Sequence, residues 1–211
     1  MSRIKRVHCG DVNCHLVQGE QGAILVDTGR AGYGEKLLPL CRQWDVRLIV
    51  LTHGHLDHVQ NAAFLSQQLE VPIAMHRADL ELLEDNYPQP MQAHRRLGRL
   101  IQSLSRRGFQ DTLLPPFQPD LYLEDGDDLS HFGVNTQVVA LPGHTAGSIG
   151  LKTEDGALLV GDAMFRLFSP APALVYADRR PKSGPSTPPP STSATGGPPR
   201  GCKNRKNRLY Y

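Results

Sequence analysis

Residues 46–52 read Val-Arg-Leu-Ile-Val-Leu-Thr, and residues 53–58 read His-Gly-His-Leu-Asp-His. The first run has the length and apolar character of one buried strand. Three imidazoles and a carboxylate within six residues at its mouth are hard to explain except as metal ligands. Zinc, iron and manganese take such donors, and a catalytic site keeps one coordination position open for water. Whatever fold the chain adopts must therefore gather further donors around the end of this strand.

The 211 residues set a prior of one domain with a real core. At 39% hydrophobic and 21% charged the chain has the balance of a soluble globular protein. No apolar run approaches the roughly 18 residues of a membrane helix, and Met-Ser-Arg-Ile-Lys-Arg-Val-His lacks the apolar stretch of a signal peptide. A cytoplasmic protein without a membrane partner is expected. Cys9, Cys14, Cys41 and Cys202 form no Cys-x-x-Cys pair and no disulfide spacing, although Cys9 and Cys14 can face each other across a short hairpin.

The net charge of +2 averages two unlike parts. Residues 1–178 carry 15 Lys and Arg against 21 Asp and Glu, whereas residues 179–211 carry 8 Lys and Arg and no acid. The later segment is rich in Pro, Ser, Thr and Gly, and 179–208 hold no Val, Ile, Leu, Met or aromatic residue. Such a composition cannot offset its ordering entropy, so a disordered basic tail is expected over 178–211, behind a domain spanning 1–177.

Within the domain, strands are expected at 4–9, 12–18, 23–26, 46–52, 71–75, 121–123, 134–141, 149–153 and 157–160, separated by turn residues. Helical spacing runs from Lys36 to Trp44, from Val59 to Leu69 and over 78–84. Met91 to Arg107 reads as a helix with Leu97, Leu100, Ile101 and Leu104 on one face and five arginines opposite. Strands alternating with helices in both halves predict an α/β fold, sheet packed between helices.

Two further segments carry chemistry. Leu141-Pro-Gly-His-Thr-Ala-Gly-Ser148 places His144 in a glycine-punctuated turn, and Leu158-Leu-Val-Gly-Asp162 is an apolar strand ending in a carboxylate. The T-H-x-H-x-D-H run at 52–58, P-G-H-T-x-G-S at 142–148 and G-D at 161–162, preceded by V-D-T-G at 26–29, together resemble the metallo-β-lactamase superfamily. The resemblance covers residues 3 to about 177 and leans to the glyoxalase II-like and small metallo-hydrolase branches.

That resemblance implies an αββα four-layer sandwich with the metal site at one edge, between two sheets. His53, His55 and His144 would hold one metal. Asp57, His58 and Asp162 would serve a second, with Asp162 bridging, and Asp27 would brace the metal-bearing loop. One or two zinc ions are implied, with iron as the alternative. A metal lowers the pKa of its water toward about 7, so the implied activity is attack of a metal-bound hydroxide on a thioester, ester or lactone, with Asp57 orienting it or taking its proton. Arg166 and Tyr176 stand where a small-molecule substrate would enter. His8, His15, His76, His94 and His131 stand alone and are expected in structural roles.

The chain departs from the family at its end. The superfamily pattern closes with a helix, a strand and a last metal-ligand histidine, and no histidine follows His144. The C-terminal part is therefore expected to be incomplete, the product of a shifted reading frame or a truncation past residue 178. One tightly held metal, reduced hydrolysis and a tendency to aggregate follow. Two other readings remain: a persulfide dioxygenase with one iron on residues matching His53, His144 and Asp162, or an inactive metal-binding relic. The acidic 1–178 disfavours a specific nucleic-acid partner, and the oligomeric state is unknown from sequence.

Overall fold

Turn residues cut the first part of the chain into β1 (Arg3–Cys9), β2 (Val12–Gln18) and β3 (Ala23–Val26), which pair as an antiparallel meander. The computed structural model describes residues 2–84, 91–93, 114–166, 170–172, 175–177 and 208–210; for 91–93, 164–166, 170–172, 175–177 and 208–209 it describes the backbone alone. Helix α1 (Gly34–Gln43) then crosses over to β4 (Val46–Val50), which lies parallel to β3. Helices α2 (Leu56–Val59) and α3 (Ala62–Leu69) lead to β5 (Ile73–Met75), parallel to β4. Helix α4 (Glu81–Glu84) and strand β6 (Met91–Ala93) precede β7 (Leu121–Tyr122), which joins β5 in parallel. The first sheet is thus ordered β1-β2-β3-β4-β5-β7.

Both faces of this sheet are covered, which is why β3 and most of β4 read as unbroken apolar runs. Leu16, Ala23, Leu25, Ile49, Ile73 and Met75 turn to one side and pack with Leu37, Cys41, Ala62 and Leu65 of α1 and α3. Val17, Ile24, Val26, Leu48, Val50 and Ala74 turn to the other. There they meet Val138, Ile149, Leu151 and Leu159 of a second sheet. In that sheet β8 (Thr136–Ala140), β9 (Ile149–Thr153) and β10 (Ala157–Leu159) pair antiparallel in that order. Helix, sheet and sheet are three of the four expected layers; among the described residues no α-helix forms the fourth.

Short ladders complete the description. Strand β11 (Met164–Arg166) pairs with β12 (Pro170–Pro172), and β13 (Val175–Ala177) pairs with β6. Strand β14 (Arg208–Tyr210) adds to β10 in parallel.

Several expectations need correction. Met91–Ala93, read as the start of a helix, is a strand because a distant partner, Val175–Ala177, supplies its ladder; residues 94–107 lie outside the described residues. The tail reading fails at its end: Leu209 and Tyr210 bring apolar character back to the chain, and the edge of β10 offers unpaired backbone to them. The remaining tail, 178–207, lies outside the described residues, as does His94. The helix expected over 59–69 breaks at Gln60-Asn61. Asn61 spends its amide on the carbonyls of Thr28, Gly29 and Arg30 and accepts from Gly34 N–H, tying that break to the loop after β3. Among the described residues no helix is long and apolar enough to cross a membrane.

Candidate metal centre

The parallel strands β3 and β4 end side by side, and the chain uses the two ends together. Asp27 leaves β3 with φ 60, in the left-handed region. That region costs an L-residue about 1–2 kcal/mol, although Asp tolerates it better than most. The turn aims the Asp27 carboxylate back at the end of β4. Its Oδ1 accepts from Thr52 N–H at 2.8 Å, and its Oδ2 accepts from Thr52 Oγ1 at 2.9 Å. Oδ2 also lies 2.9 Å from His58 Nδ1. This pull takes Thr52 out of the strand, which ends at Val50 rather than at 52.

Proton positions follow from these contacts. A carboxylate only accepts, so His58 carries its proton on Nδ1. The single Thr52 hydroxyl proton goes to Asp27, so Thr52 Oγ1 accepts from His53 Nδ1, 3.1 Å away. Each imidazole thereby commits Nδ1 as a donor, so Nε2 is the nitrogen left to offer an ion. His53 Nε2 and His58 Nε2 are buried and have no hydrogen-bond partner. Asp27 thus acts as a tautomer setter as well as a brace.

The second sheet supplies the other donors. His144 sits in the connection between β8 and β9, and Ile149 N–H donates to Thr52 O at 2.8 Å, locking that connection onto the His loop. Asp162 lies in a one-turn 3-10 segment, Gly161–Ala163, just past β10. Gly161 has φ 51, and a Cβ there would fall 2.4 Å from Thr52 Oγ1, so only glycine lets the two loops approach this closely.

The result is a cluster of four imidazoles and a carboxylate drawn from both halves of the chain. His53 stands 4.1 Å from His58 and 4.8 Å from both His55 and His144, between ring centroids. His55 Nδ1 is 3.0 Å from His144 Nε2. Asp162 reaches both sides, with Oδ1 3.3 Å from His58 Nε2 and Oδ2 3.7 Å from His144 Nε2. Two sets of donor atoms lie within 4.8 Å of one another: His53, His55 and His144, and His53, His58 and Asp162. Asp57, on α2, is half-buried and belongs to neither set. Arg166 and Tyr176 lie on β11 and β13, but their side chains are outside the described residues.

The electrostatics suit a cation. Burial, reinforced by the neighbouring imidazoles, holds His53 well below its usual pKa, and burial with His144 does the same to His55. Both are neutral at pH 7, the form that binds metal. Burial also depresses His58, but Asp27 and Asp162 outweigh it and raise His58 well above its ordinary value. Burial would raise Asp162, yet His58, His144 and His55 pull it below the carboxylate range. Burial raises the Asp57 carboxyl against the pull of His58. A divalent ion placed between these donors would take over the charge-balancing role of the His58 proton.

The residues present fit such an ion. Two buried Nε2 atoms with no partner are costly unless something binds them. Tetrahedral zinc with Zn–N near 2.0–2.1 Å needs ligand nitrogens about 3.3 Å apart, and the His55–His144 gap is 3.0 Å. An all-nitrogen and oxygen donor set suits zinc or iron equally well.

One buried carboxylate had no role in the sequence reading. Asp79, fully buried, ends a 3-10 turn, Arg77–Asp79, at the carboxyl end of β5, the same sheet end as the His loop. It accepts hydrogen bonds from Gly54, Thr145 and Gly147. A helical reading of 78–84 hid it, and the only available signal was a carboxylate just beyond a parallel strand.

A family model described as the metallo-beta-lactamase superfamily matches residues 8–205. The hydroxyacylglutathione hydrolase GloC of Haemophilus influenzae is 31% identical over 159 residues, 73% of this chain and 67% of that protein. Among solved structures, TTHA1623 in a di-iron-bound form is 28% identical with a TM-score of 0.57, covering 80% of each chain. The BLEG-1 B3 metallo-beta-lactamase shares the fold at 22% identity and a TM-score of 0.60, over 78% of this chain and 74% of that one. The chain spans about two thirds of the length of the curated relatives it matches.

Proposed function

We propose, from the premise that this chain belongs to the metallo-beta-lactamase superfamily, that it is a metal-dependent hydrolase of a small-molecule thioester. The observation that carries the reading is the pair of buried Nε2 atoms of His53 and His58, neither in hydrogen-bond geometry with a partner, left by the Nδ1 contacts to Thr52 and Asp27 to face a cluster completed by His144 and Asp162. His53, His55 and His144 are the ligands of the tighter metal. His58 and Asp162, with Asp57 beside them, would hold a second.

A divalent metal bound there supplies an acidified water at neutral pH and polarises a carbonyl. The chain's own residues do the rest. Asp27 fixes the ring orientations and tautomers of His53 and His58. Asp57, whose pKa is raised by burial, is poised to accept a proton from the attacking water. Arg166 and Tyr176 are assigned to substrate binding, and the domain is taken as 1–177 followed by the basic tail. Thioesters are preferred over esters and lactones because GloC, 31% identical, is a hydroxyacylglutathione hydrolase. Zinc is the proposed metal, and the di-iron neighbour makes iron the alternative. Cys9, Cys14 and Cys41 are free thiols, which suits the reducing cytoplasm proposed for the protein.

The test is elemental analysis of the purified chain, then assay of thioester, ester and lactone panels with the metal found. Thioester hydrolysis lost in His55→Ala supports the reading. Oxygen uptake on glutathione persulfide with bound iron would replace it by the dioxygenase, and metal binding without turnover of any panel member would leave a relic.

A further inference from the structure

We infer that Asp79 is a positioning residue that sets the spacing between the two histidine loops, an inference resting on the reading that His53, His55 and His144 hold a metal. Those loops come from different sheets, and the sheets touch mainly through apolar side chains. Apolar packing is not directional, and the backbone bond from Ile149 N–H to Thr52 O meets the second loop five residues past His144, so the His144 end needs its own directional hold to reach the few tenths of an ångström that a shared ion demands. Asp79 supplies directional contacts to both. Its Oδ2 accepts from Gly54 N–H at 3.0 Å and from Thr145 Oγ1 at 2.6 Å, and its Oδ1 accepts from Gly147 N–H at 2.7 Å.

The anchor points are next to the ligands. Gly54 lies between His53 and His55, and Thr145 directly follows His144. Each loop is therefore held one residue from a donor ring. The approach depends on two missing side chains. A Cβ on Gly147 would lie 2.8 Å from Asp79 Cγ, and a Cβ on Gly54 would lie 2.9 Å from Asp79 O and 2.8 Å from Leu82 Cβ. Thr145 is held in turn by Ser148, whose Oγ accepts from Thr145 N–H at 3.0 Å and lies 2.8 Å from Thr145 Oγ1. With its own proton given to Asp79, Thr145 Oγ1 accepts from Ser148. The chain Ser148–Thr145–Asp79–Gly54 spans the gap that separates His144 from His55.

Asp79 works against Asp27 rather than beside it. Asp27 holds the outer ends of the His loop, at Thr52 and His58, whereas Asp79 holds its middle and ties it to the second sheet. Asn at 79 retains the shape but places an amide donor against either Gly147 N–H or the Gly54 N–H and Thr145 hydroxyl side, so at least one tether is lost.

The experiment compares full-length parent, Asp79→Asn, Thr145→Val and Leu65→Ala, the last a core control in α3 on the far face of the first sheet. Zn2+ affinity is measured by competition with a chromophoric chelator, with thermal stability and amide exchange at Gly54 and Gly147 alongside. Asp79→Asn and Thr145→Val are expected to weaken the tight zinc equivalent about 10-fold or more, while Leu65→Ala leaves it unchanged at an equal or larger loss of Tm. Affinity within threefold of the parent in Asp79→Asn, or a loss matched by Leu65→Ala, overturns the inference. Should Asp79→Asn not fold, Thr145→Val decides by the same criterion. If the parent binds no metal, the hydrolase reading falls separately. Exchange then decides: faster Gly54 and Gly147 amides in Asp79→Asn or Thr145→Val, against unchanged neighbours, support the tether, and unchanged rates refute it.

Discussion

Replacing Asp27 by Asn changes one atom and should disable one half of the metal centre. The amide must put its NH2 at either the Oδ1 or the Oδ2 position. At Oδ1 it would confront Thr52 N–H, 2.8 Å away, donor against donor. A buried donor left unsatisfied costs about 1–3 kcal/mol, so the NH2 turns to Oδ2 instead, where it meets His58 Nδ1. With the Asp27 charge gone, His58 loses one of the two carboxylates that favour its cation, and as a neutral ring it satisfies that contact by keeping its one proton on Nε2. The new Nε2–H then points at Asp162 Oδ1, 3.3 Å away, and the two lock together. One swap removes both donors from any second ion while His53, His55 and His144 keep theirs. A 10- to 100-fold loss of affinity at the weaker metal equivalent is expected, of the size usual for the partners of ligating histidines. The global stability loss should stay near 1–3 kcal/mol. Zinc or cobalt titration reads the two equivalents, and nitrogen-15 NMR of the imidazoles reads the tautomer. Equal binding of both equivalents by parent and variant, with His58 still protonated on Nδ1, would refute the reasoning.

Three other outcomes are expected. Gly161→Ala places a methyl 2.4 Å from Thr52 Oγ1 at φ 51, so about 1–2 kcal/mol of backbone strain adds to about 1–3 kcal/mol of overpacking; calorimetry showing an unchanged Tm contradicts this. His15 is buried and its pKa is pushed down to about 4 by that burial. The unfolded chain binds the extra proton below pH 6.5, so stability is full above that value and falls by up to about 3 kcal/mol toward pH 4. His15→Gln should flatten that slope in urea titrations, and an unaltered slope would show that His15 is not its source. Deleting 208–211 uncovers the β10 edge and removes Tyr210 from the inter-sheet core and from the edge of the His15 ring; a loss of about 2 kcal/mol and aggregation on heating are expected by light scattering, against which a monodisperse variant of parental Tm would count.

Local patterns carried the sequence reading as far as they could. The bounds of β2, β3 and β9 were legible because turn residues flank compact apolar runs, and the His53–His58 loop was legible because its donors are adjacent in the chain. What failed depended on partners far away. Met91–Ala93 is a strand only because Val175–Ala177 lies beside it, and Arg208–Tyr210 is one only because β10 has an open edge. Thr52 left its strand because a carboxylate 25 residues earlier captures both its N–H and its hydroxyl. Asp79 was invisible for the same reason, since Gly54, Thr145 and Gly147, which donate to it, lie 25 to 68 residues away and none forms a motif with it.

The sharing of His53 bears on how many ions the centre can hold. It belongs to both donor sets, yet its Nδ1 proton is committed to Thr52, so it has one lone pair to give. Whichever ion takes Nε2 excludes the other. An ion on His53, His55 and His144 has three imidazoles, the count typical of a catalytic zinc. Among the described residues the second ion is then left with His58, Asp162 and whatever Asp57 contributes. With these described donors unequal affinity is expected whichever metal is chosen. Dialysis should strip the second equivalent first and leave one ion per chain. If instead both equivalents survive dialysis together, a further ligand must come from a residue outside both sets, and Asp57 would be the first to substitute.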